Sequence, residues 1–296
     1  MGRVHEAIIK YLSDGYDFYW YDCHCQLASA SLWHHDGWRK HDIILSNTII
    51  VNGHMELLGW HQSEWVPPAE LLQKFLVVVH APVLGYPTHW EEINERYKNG
   101  PVFGASCPEG VRSVRARGLD CALVPCGVDL DVFSVQRKPP EKIKNVGFVG
   151  KPEVFSPDLN VKRPDMFKEI AQRTGLDYTF IHGQPHSLGS SLYEGVDLII
   201  SCSEFESGPL GIFEAAACGI PSITTPTGNA ASLASIKTFN TTDEAVALID
   251  ALNRNSEALR EYTRKLSAEV RANWGWAHLC KKYWSNLFER RWALRG

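Results

Sequence analysis

Residues 196–221 constrain what this chain can fold into more than any other stretch. The apolar run Val196-Asp-Leu-Ile-Ile200 reads as a buried strand ending near Cys202. A short loop follows, and Pro209 falls in the first turn of a helix, where its missing N–H costs nothing. Apolar runs alternate with helical patterns along the rest of the chain, so this strand–turn–helix is one of a series. The series implies an α/β architecture with parallel sheets.

In the first half the pattern predicts a helix over residues 4–12 and strands over 16–21, 42–46, 75–79 and 101–106. A basic helix over 111–117 stops at Gly118, and residues 123–125 close the half. Cys126-Gly-Val-Asp-Leu-Asp-Val-Phe133 and the Pro- and Lys-rich Arg137-Lys-Pro-Pro-Glu-Lys142 read as a linker. Beyond it come a strand over 146–150, a helix over 166–173, strands over 178–181, 196–202 and 222–225, and helix to the end. A chain of 296 residues with 44% hydrophobic content can bury two cores of about 130–150 residues each. No internal repeat or low-complexity segment interrupts it.

Composition excludes several classes. There is no run of eighteen apolar residues and no secretory signal at the start, so the chain reads as soluble and cytoplasmic. The eight cysteines are scattered without a Cys-x-x-Cys, and Cys202 and Cys218 fall in strand and helix patterns, as reduced core thiols do. A net charge of −4 gives no global pull toward nucleic acid.

The helix that opens at Pro209 is the strongest candidate site. The backbone N–H groups of Gly208, Leu210 and Gly211 are expected to form its positive end, which suits phosphate. Glu206 precedes that end and Glu214 lies eight positions later, just inside the helix. Carboxylates beside a phosphate site are electrostatically odd unless they accept from hydroxyls. A ligand with phosphate in the middle and polyol at both ends, a nucleotide-sugar, reconciles the two. Spacing alone fits equally an ordinary strand–loop–helix with two surface glutamates.

Ser203-Glu-Phe-Glu206, then Glu214-Ala-Ala-Ala-Cys-Gly-Ile-Pro-Ser-Ile-Thr-Thr-Pro-Thr-Gly228, resembles the signature of retaining GT-B glycosyltransferases of the family 4 type. Ser222 stands where that signature usually has Val. Pro125-Cys-Gly-Val-Asp-Leu-Asp-Val-Phe133 resembles the family's crossover between domains, and Ser106 with the basic helix after it resembles the segment before that crossover. Val146-Gly-Phe-Val-Gly150 is similar to the opening strand of its nucleotide-binding domain, and the Trp274-Gly-Trp276 region to its closing helices. The match spans roughly residues 75–290. It departs at the start, where the family's first strand and glycine-rich loop have no full counterpart before Gly2-Arg3-Val4-His5.

The resemblance implies two Rossmann-like domains with parallel sheets facing across a cleft, the N-terminal one abbreviated. Residues 1–135 would form the acceptor side and 136–275 the nucleotide-sugar-binding domain, with a C-terminal helix over 276–296 packing back toward the first. It implies hexosyl or pentosyl transfer from a UDP- or GDP-sugar to a hydroxyl acceptor, with retention and without a metal or other cofactor. Lys162 matches the family lysine that steadies the departing diphosphate, Lys151 follows Gly150 as a second cation, and Arg163 is a substitute. Glu206 would meet the hydroxyls of the transferred sugar, Glu214 the ribose, and residues Gly208, Pro209, Leu210 and Gly211 the diphosphate. His80, after the strand over 75–79, matches a histidine that reaches the sugar from the first domain.

Other readings stay open. Of the ten tryptophans six precede residue 91, and Trp33, Trp38, Trp60 and Trp65 lie in loop-like stretches on the acceptor side. Indole faces stack on sugar rings and equally on unpaired bases, and they also simply pack loops. The acceptor would be a glycan, a lipid-linked or small molecule, or a hydroxymethylated base in DNA, as for phage-encoded enzymes working in the host cytoplasm. In the DNA case Arg112, Arg115, Arg117, Arg290, Arg291 and Arg295 would contact phosphates. A non-catalytic nucleotide-sugar-binding protein is a further alternative. A sugar-nucleotide epimerase shares the two-domain fold, but the Glu206/Glu214 spacing and the Gly127-Val-Asp129 hinge argue against it. Asp129-Leu-Asp131 sits inside the crossover and reads as hinge packing. Cys23-His24-Cys25 and His34-His35 lack ligand spacing, so no metal is expected.

Overall fold

The computed structural model describes residues 2–18, 43–48, 50–51, 54–55, 70, 73–79, 102–116, 118–152 and 161–293. The chain divides into two compact units, Met1–Pro125 with Leu279–Gly296, and Cys126–His278.

In the first unit, α1 (Gly2–Leu12) buries Val4, Ala7, Ile8 and Leu12, the one-sided spacing expected of an amphipathic helix. A parallel sheet runs in the order β1 (Ile44–Thr48), β4 (Phe75–Val79), β5 (Val102–Ala105), β6 (Cys121–Leu123). Two short strands, β2 (Ile50–Val51) and β3 (His54–Met55), pair antiparallel beside it in sequence. Leu76, Val77 and Val78 are fully buried, as a strand covered on both faces must be. Helix α2 (Pro108–Arg115) begins earlier than its basic run suggests, because Cys107 caps it, Sγ accepting from the Gly110 N–H at 3.4 Å, and Pro108 fixes the first turn.

The strand expected over 16–21 is not found at residues 16–18, which belong to no strand. There the rings of Tyr16 and Phe18 both pack on Phe288, at 5.0 and 6.2 Å, so aromatic burial rather than strand pairing accounts for the pattern.

The second unit holds a parallel sheet in the order β11 (Lys237–Thr238), β10 (Ser222–Thr224), β9 (Leu198–Ser201), β7 (Asn145–Val149), β8 (Asp177–Ile181). Among its described residues are helices α3 (Pro164–Thr174), α4 (Leu210–Ala217), α5 (Thr242–Arg254) and α6 (Ser256–Asn273), and 3₁₀ segments at His186–Tyr193 and Gly228–Ser232. Helix α4 is buried at every residue but its first, and its alanines let strand and helix neighbours approach on both sides. Strand β11 was not read from the sequence: two residues carry too short a pattern. The Asp129 carboxylate accepts from the N–H groups of Asp131 and Val132, at 3.0 and 3.4 Å, and Val128 bridges to Gly275. These bonds make the crossover a pinned turn.

After His278 the chain returns to the first unit through α7 (Trp276–Leu279), a π-helical turn at Cys280–Trp284 and α8 (Ser285–Ala293). Trp284 is fully buried there and its Nε1 donates to the Pro125 carbonyl at 3.1 Å.

Candidate functional site

Strand order locates the site before any side chain does. From β7 the chain passes to β8 on one side, then crosses back to β9 on the other. That reversal is a topological switch point, and the crevice outside the carboxyl ends of β7 and β9 is where open parallel sheets bind ligands.

Lys162 and Glu206 meet near those ends. Gly150 follows β7, and a methyl placed there would stand 2.8 Å from Cε1 of Phe148 and 3.3 Å from Cδ of Lys162, so the missing side chain makes room for that ring and the lysine stem. Residues 161–163 are tied to the end of β9, Val161 O accepting from the Glu204 N–H at 2.8 Å. Lys162 Nζ then lies 3.6 Å from Glu206 Oε2. The lysine is half exposed and the glutamate four-fifths buried. Burial pushes the Glu206 carboxyl above the usual carboxylate range, while Lys162 and the Ser203 hydroxyl pull it back.

The loop before α4 is held from the β10 side. The Asn229 N–H donates to Ser207 O at 3.0 Å, and the Thr225 hydroxyl donates to Ser203 O. Gly228 sits at φ 55, and any Cβ there would meet Glu206 O at 2.2 Å. Only glycine lets the two backbones cross this closely. Gly211 plays a packing role: a methyl on it would stand 2.5 Å from Cγ2 of Val149, so the start of α4 rests against the last turn of β7.

Two details differ from the sequence reading of the helix end. Pro209 is the N-cap rather than a helical residue, and the Leu210 N–H turns back to Gly208 O at 2.8 Å, so it is not available to an anion. The N–H groups of Gly208 and Gly211 are the remaining donors of the set.

Arg163 is tied to the scaffold, Nε donating to Cys202 O at 2.5 Å, and its backbone is left-handed at φ 50 as it caps α3. It serves to dock the 161–163 segment onto β9. Lys151 is exposed directly after β7. Burial pushes the nearby Cys202 thiol up to about 12, which leaves it protonated and unreactive.

Glu214 lies deeper than a surface reading allows, at 6% exposure. The Tyr193 hydroxyl donates to its Oε2 at 2.9 Å, and His186 Nε2 lies 3.5 Å from Oε1. Neither Tyr193 nor His186 was found from the sequence. They precede Glu214 by more than a full strand, and no spacing rule links a 3₁₀ segment to a helix that follows it.

His80, Trp33, Trp38, Trp60 and Trp65 lie outside the described residues, as do Arg117 and Arg295. The other arginines proposed for DNA phosphates each have a partner or are buried, although Arg112 is 70% exposed. Arg112 pairs with Glu109 at 3.0 Å, Arg115 donates to Cys121 O at 2.8 Å, Arg290 pairs with Asp120, and Arg291 is 2% exposed. Among the described residues no cluster of three His, Cys, Asp or Glu has the form of a metal site, and no helix is long and apolar enough to cross a membrane.

Residues 135–266 match the family model described as Glycosyl transferases group 1. None of the curated proteins matches by sequence. Among solved structures the chain is similar to sucrose-phosphate synthase from Thermosynechococcus elongatus, with TM-score 0.64 and 14% identity over 90% of this chain and 77% of that one. It is similar also to Anabaena Alr3699/HepE in complex with UDP and glucose, with TM-score 0.61 and 11% identity over 89% and 81%. A glycosyltransferase from Rickettsia africae gives TM-score 0.61 and 14% identity over 97% and 88%. At such identities the likeness is one of fold. The chain has the GT-B architecture of two Rossmann-like domains, and the match to the group 1 glycosyl transferase model falls within the second unit, at residues 135–266.

Proposed function

We propose that the protein is a glycosyltransferase that moves a sugar from a nucleoside diphosphate to a hydroxyl acceptor, with retention of configuration and without a metal. The observation that carries this reading is the Lys162–Glu206 pair at the switch point, beside the N-terminus of α4.

The leaving diphosphate needs positive charge that is already in place when the glycosidic bond breaks. Lys162 supplies a side-chain cation and the Gly208 and Gly211 N–H groups supply the helix end, with Lys151 a second cation after β7. A diphosphate arriving there competes with Glu206 for Lys162. Once displaced, Glu206 is a carboxylate without its cation, suited to accept from the hydroxyls of the transferred sugar. Glu214, one turn into α4, takes the ribose. The UDP and glucose bound by the Anabaena neighbour support this class of donor. UDP- and GDP-sugars are the donors of choice, and the acceptor is a glycan, a lipid-linked glycan or a small molecule.

Thermal-shift measurements over a panel of nucleotide-sugars test the reading, since a donor that binds only the native state raises Tm with its concentration. The active donor is then turned over in excess EDTA and the product anomer assigned by NMR. Undiminished turnover and a retained anomer are expected. Loss of turnover restored by Mn²⁺, or an inverted product, overturns the corresponding part.

A further inference from the structure

Two side chains face the Glu214 carboxylate, and both come from the same short segment, His186–Tyr193. The Tyr193 hydroxyl donates to Oε2 at 2.9 Å and His186 Nε2 faces Oε1 at 3.5 Å. Tyr193 is 1% exposed, whereas the His186 side chain is 24% exposed, so the histidine is the member of the trio with access to solvent.

The segment that carries them is fixed independently of Glu214. Gly189 interrupts it at φ 52, where a Cβ would stand 2.3 Å from the Val132 carbonyl oxygen, so the segment presses directly on the crossover backbone. Arg137 donates to Tyr193 O at 2.6 Å and to Ser190 O at 3.4 Å. The Phe133 ring meets His186 edge-on at 4.9 Å and lies 6.3 Å from Tyr193. A loop built only to connect β8 with β9 needs none of these ties. They give the two donors a rigid base, which is what precise placement of a carboxylate demands.

We propose that His186 and Tyr193 are positioning residues that set the plane of the Glu214 carboxylate for the hydroxyls of the nucleoside ribose. The inference rests on the donor reading above. A buried carboxylate with two directed donors keeps one orientation. Without them it rotates and no longer presents both oxygens together to a diol. The 3.5 Å separation from His186 is long for a hydrogen bond and within ion-pair range, a gap that ligand binding commonly closes. The specific consequence is discrimination. A site arranged to bond hydroxyls rejects an analogue that lacks them, and the rejection depends on how well the acceptor is held.

Calorimetric titration of UDP and GDP, each against its 2′,3′-dideoxy counterpart and against inorganic pyrophosphate, tests the assignment. Wild type, His186→Ala, His186→Gln and Tyr193→Phe are compared. Wild type is expected to prefer the ribonucleotide by on the order of tenfold or more, the worth of one good bond to a charged group. In His186→Ala and Tyr193→Phe that ratio should fall several-fold with pyrophosphate affinity unchanged. His186→Gln should recover part of it, because its amide can donate.

A ratio unchanged in the variants overturns the proposal and leaves the donor reading standing. Equal loss for ribonucleotide, dideoxynucleotide and pyrophosphate also overturns it, because that is the mark of a structural role. A wild type that binds none of these ligands removes both. If Tyr193→Phe does not fold, the two variants at the partly exposed His186 decide the matter.

Discussion

Glu206 carries its charge where burial opposes it, and that conflict can be measured without any substrate. Its carboxyl is raised by burial and drawn back by Lys162 and Ser203. A carboxyl raised in the native state binds more protons folded than unfolded. Stability therefore falls as pH rises from the unfolded value of about 4.3 through the raised folded one. Glu206→Gln should raise Tm at pH 8, and the gain should vanish toward pH 4. A Tm-versus-pH series on both proteins checks it, and a variant less stable at pH 8 than at pH 4 relative to wild type contradicts it.

Lys162 faces the opposite test. The charge on the diphosphate grows as the bond breaks, so Lys162→Ala should lower kcat more than it raises KM, by about 10²–10³-fold. Lys162→Arg should keep part of the rate, with the cation in a different geometry. Steady-state kinetics decides it, and wild-type kcat in Lys162→Ala, with loss in Lys151→Ala, reassigns the phosphate cation. The spacing of Glu206 and Glu214 was legible because a turn and a helix lie between them. That Lys162 sits against Glu206 was not, because forty-four residues separate the two and no local rule brings them together.

At the scale of elements, the loop between β9 and α4 is held by a backbone crossing as much as by its own sequence. Gly228 at φ 55 lies over Glu206 O and Ser207 O, with room for no Cβ. Gly175 is also left-handed, at φ 64, but ends α3 in open space with nothing within 4 Å. Gly175→Ala should cost only the left-handed strain, about 1–2 kcal/mol. Gly228→Ala adds a clash between backbones and should cost upward of about 3 kcal/mol. Urea denaturation midpoints rank the two, and equal losses would mean the crossing is not rigid. The sequence marked Gly228 only as the last residue of the signature that begins at Glu214. Helix ends came through better: α3 lies within two residues of its expected bounds and α4 begins one residue after the expected Pro209, because proline at the start of a helix is a local signal. The exception at residues 16–18 shows the limit, since an aromatic pair packing on Phe288 mimics strand alternation.

At the scale of the whole molecule, the last residues belong to the unit that begins the chain. Leu279, Cys280, Trp284, Leu287 and Phe288 are each 3% exposed or less, and a methyl on Gly104 of β5 would stand 3.1 Å from Leu287 Cδ2. Ending the chain at His278 removes all of them. Large buried side chains are worth about 2–5 kcal/mol each, against a total stability of about 5–15 kcal/mol for a domain. The truncated protein should lose amide-exchange protection in β4 and β5 while β7 and β9 keep theirs. Protection retained throughout would show that the first unit does not depend on its C-terminal helix.

The sequence by itself determined the α/β alternation, the strand–turn–helix at residues 196–221 and the placing of Glu206 and Glu214 around a helix start. Those follow from periodicity, proline and glycine within a few residues of one another. Only the tertiary structure decided that β7 and β9 flank the switch point, that Arg163 Nε donates to Cys202 O, and that Tyr193 and His186 face Glu214. Each of those depends on chain segments that meet only when the sheet assembles. Such meetings leave no period in the sequence from which they could be read.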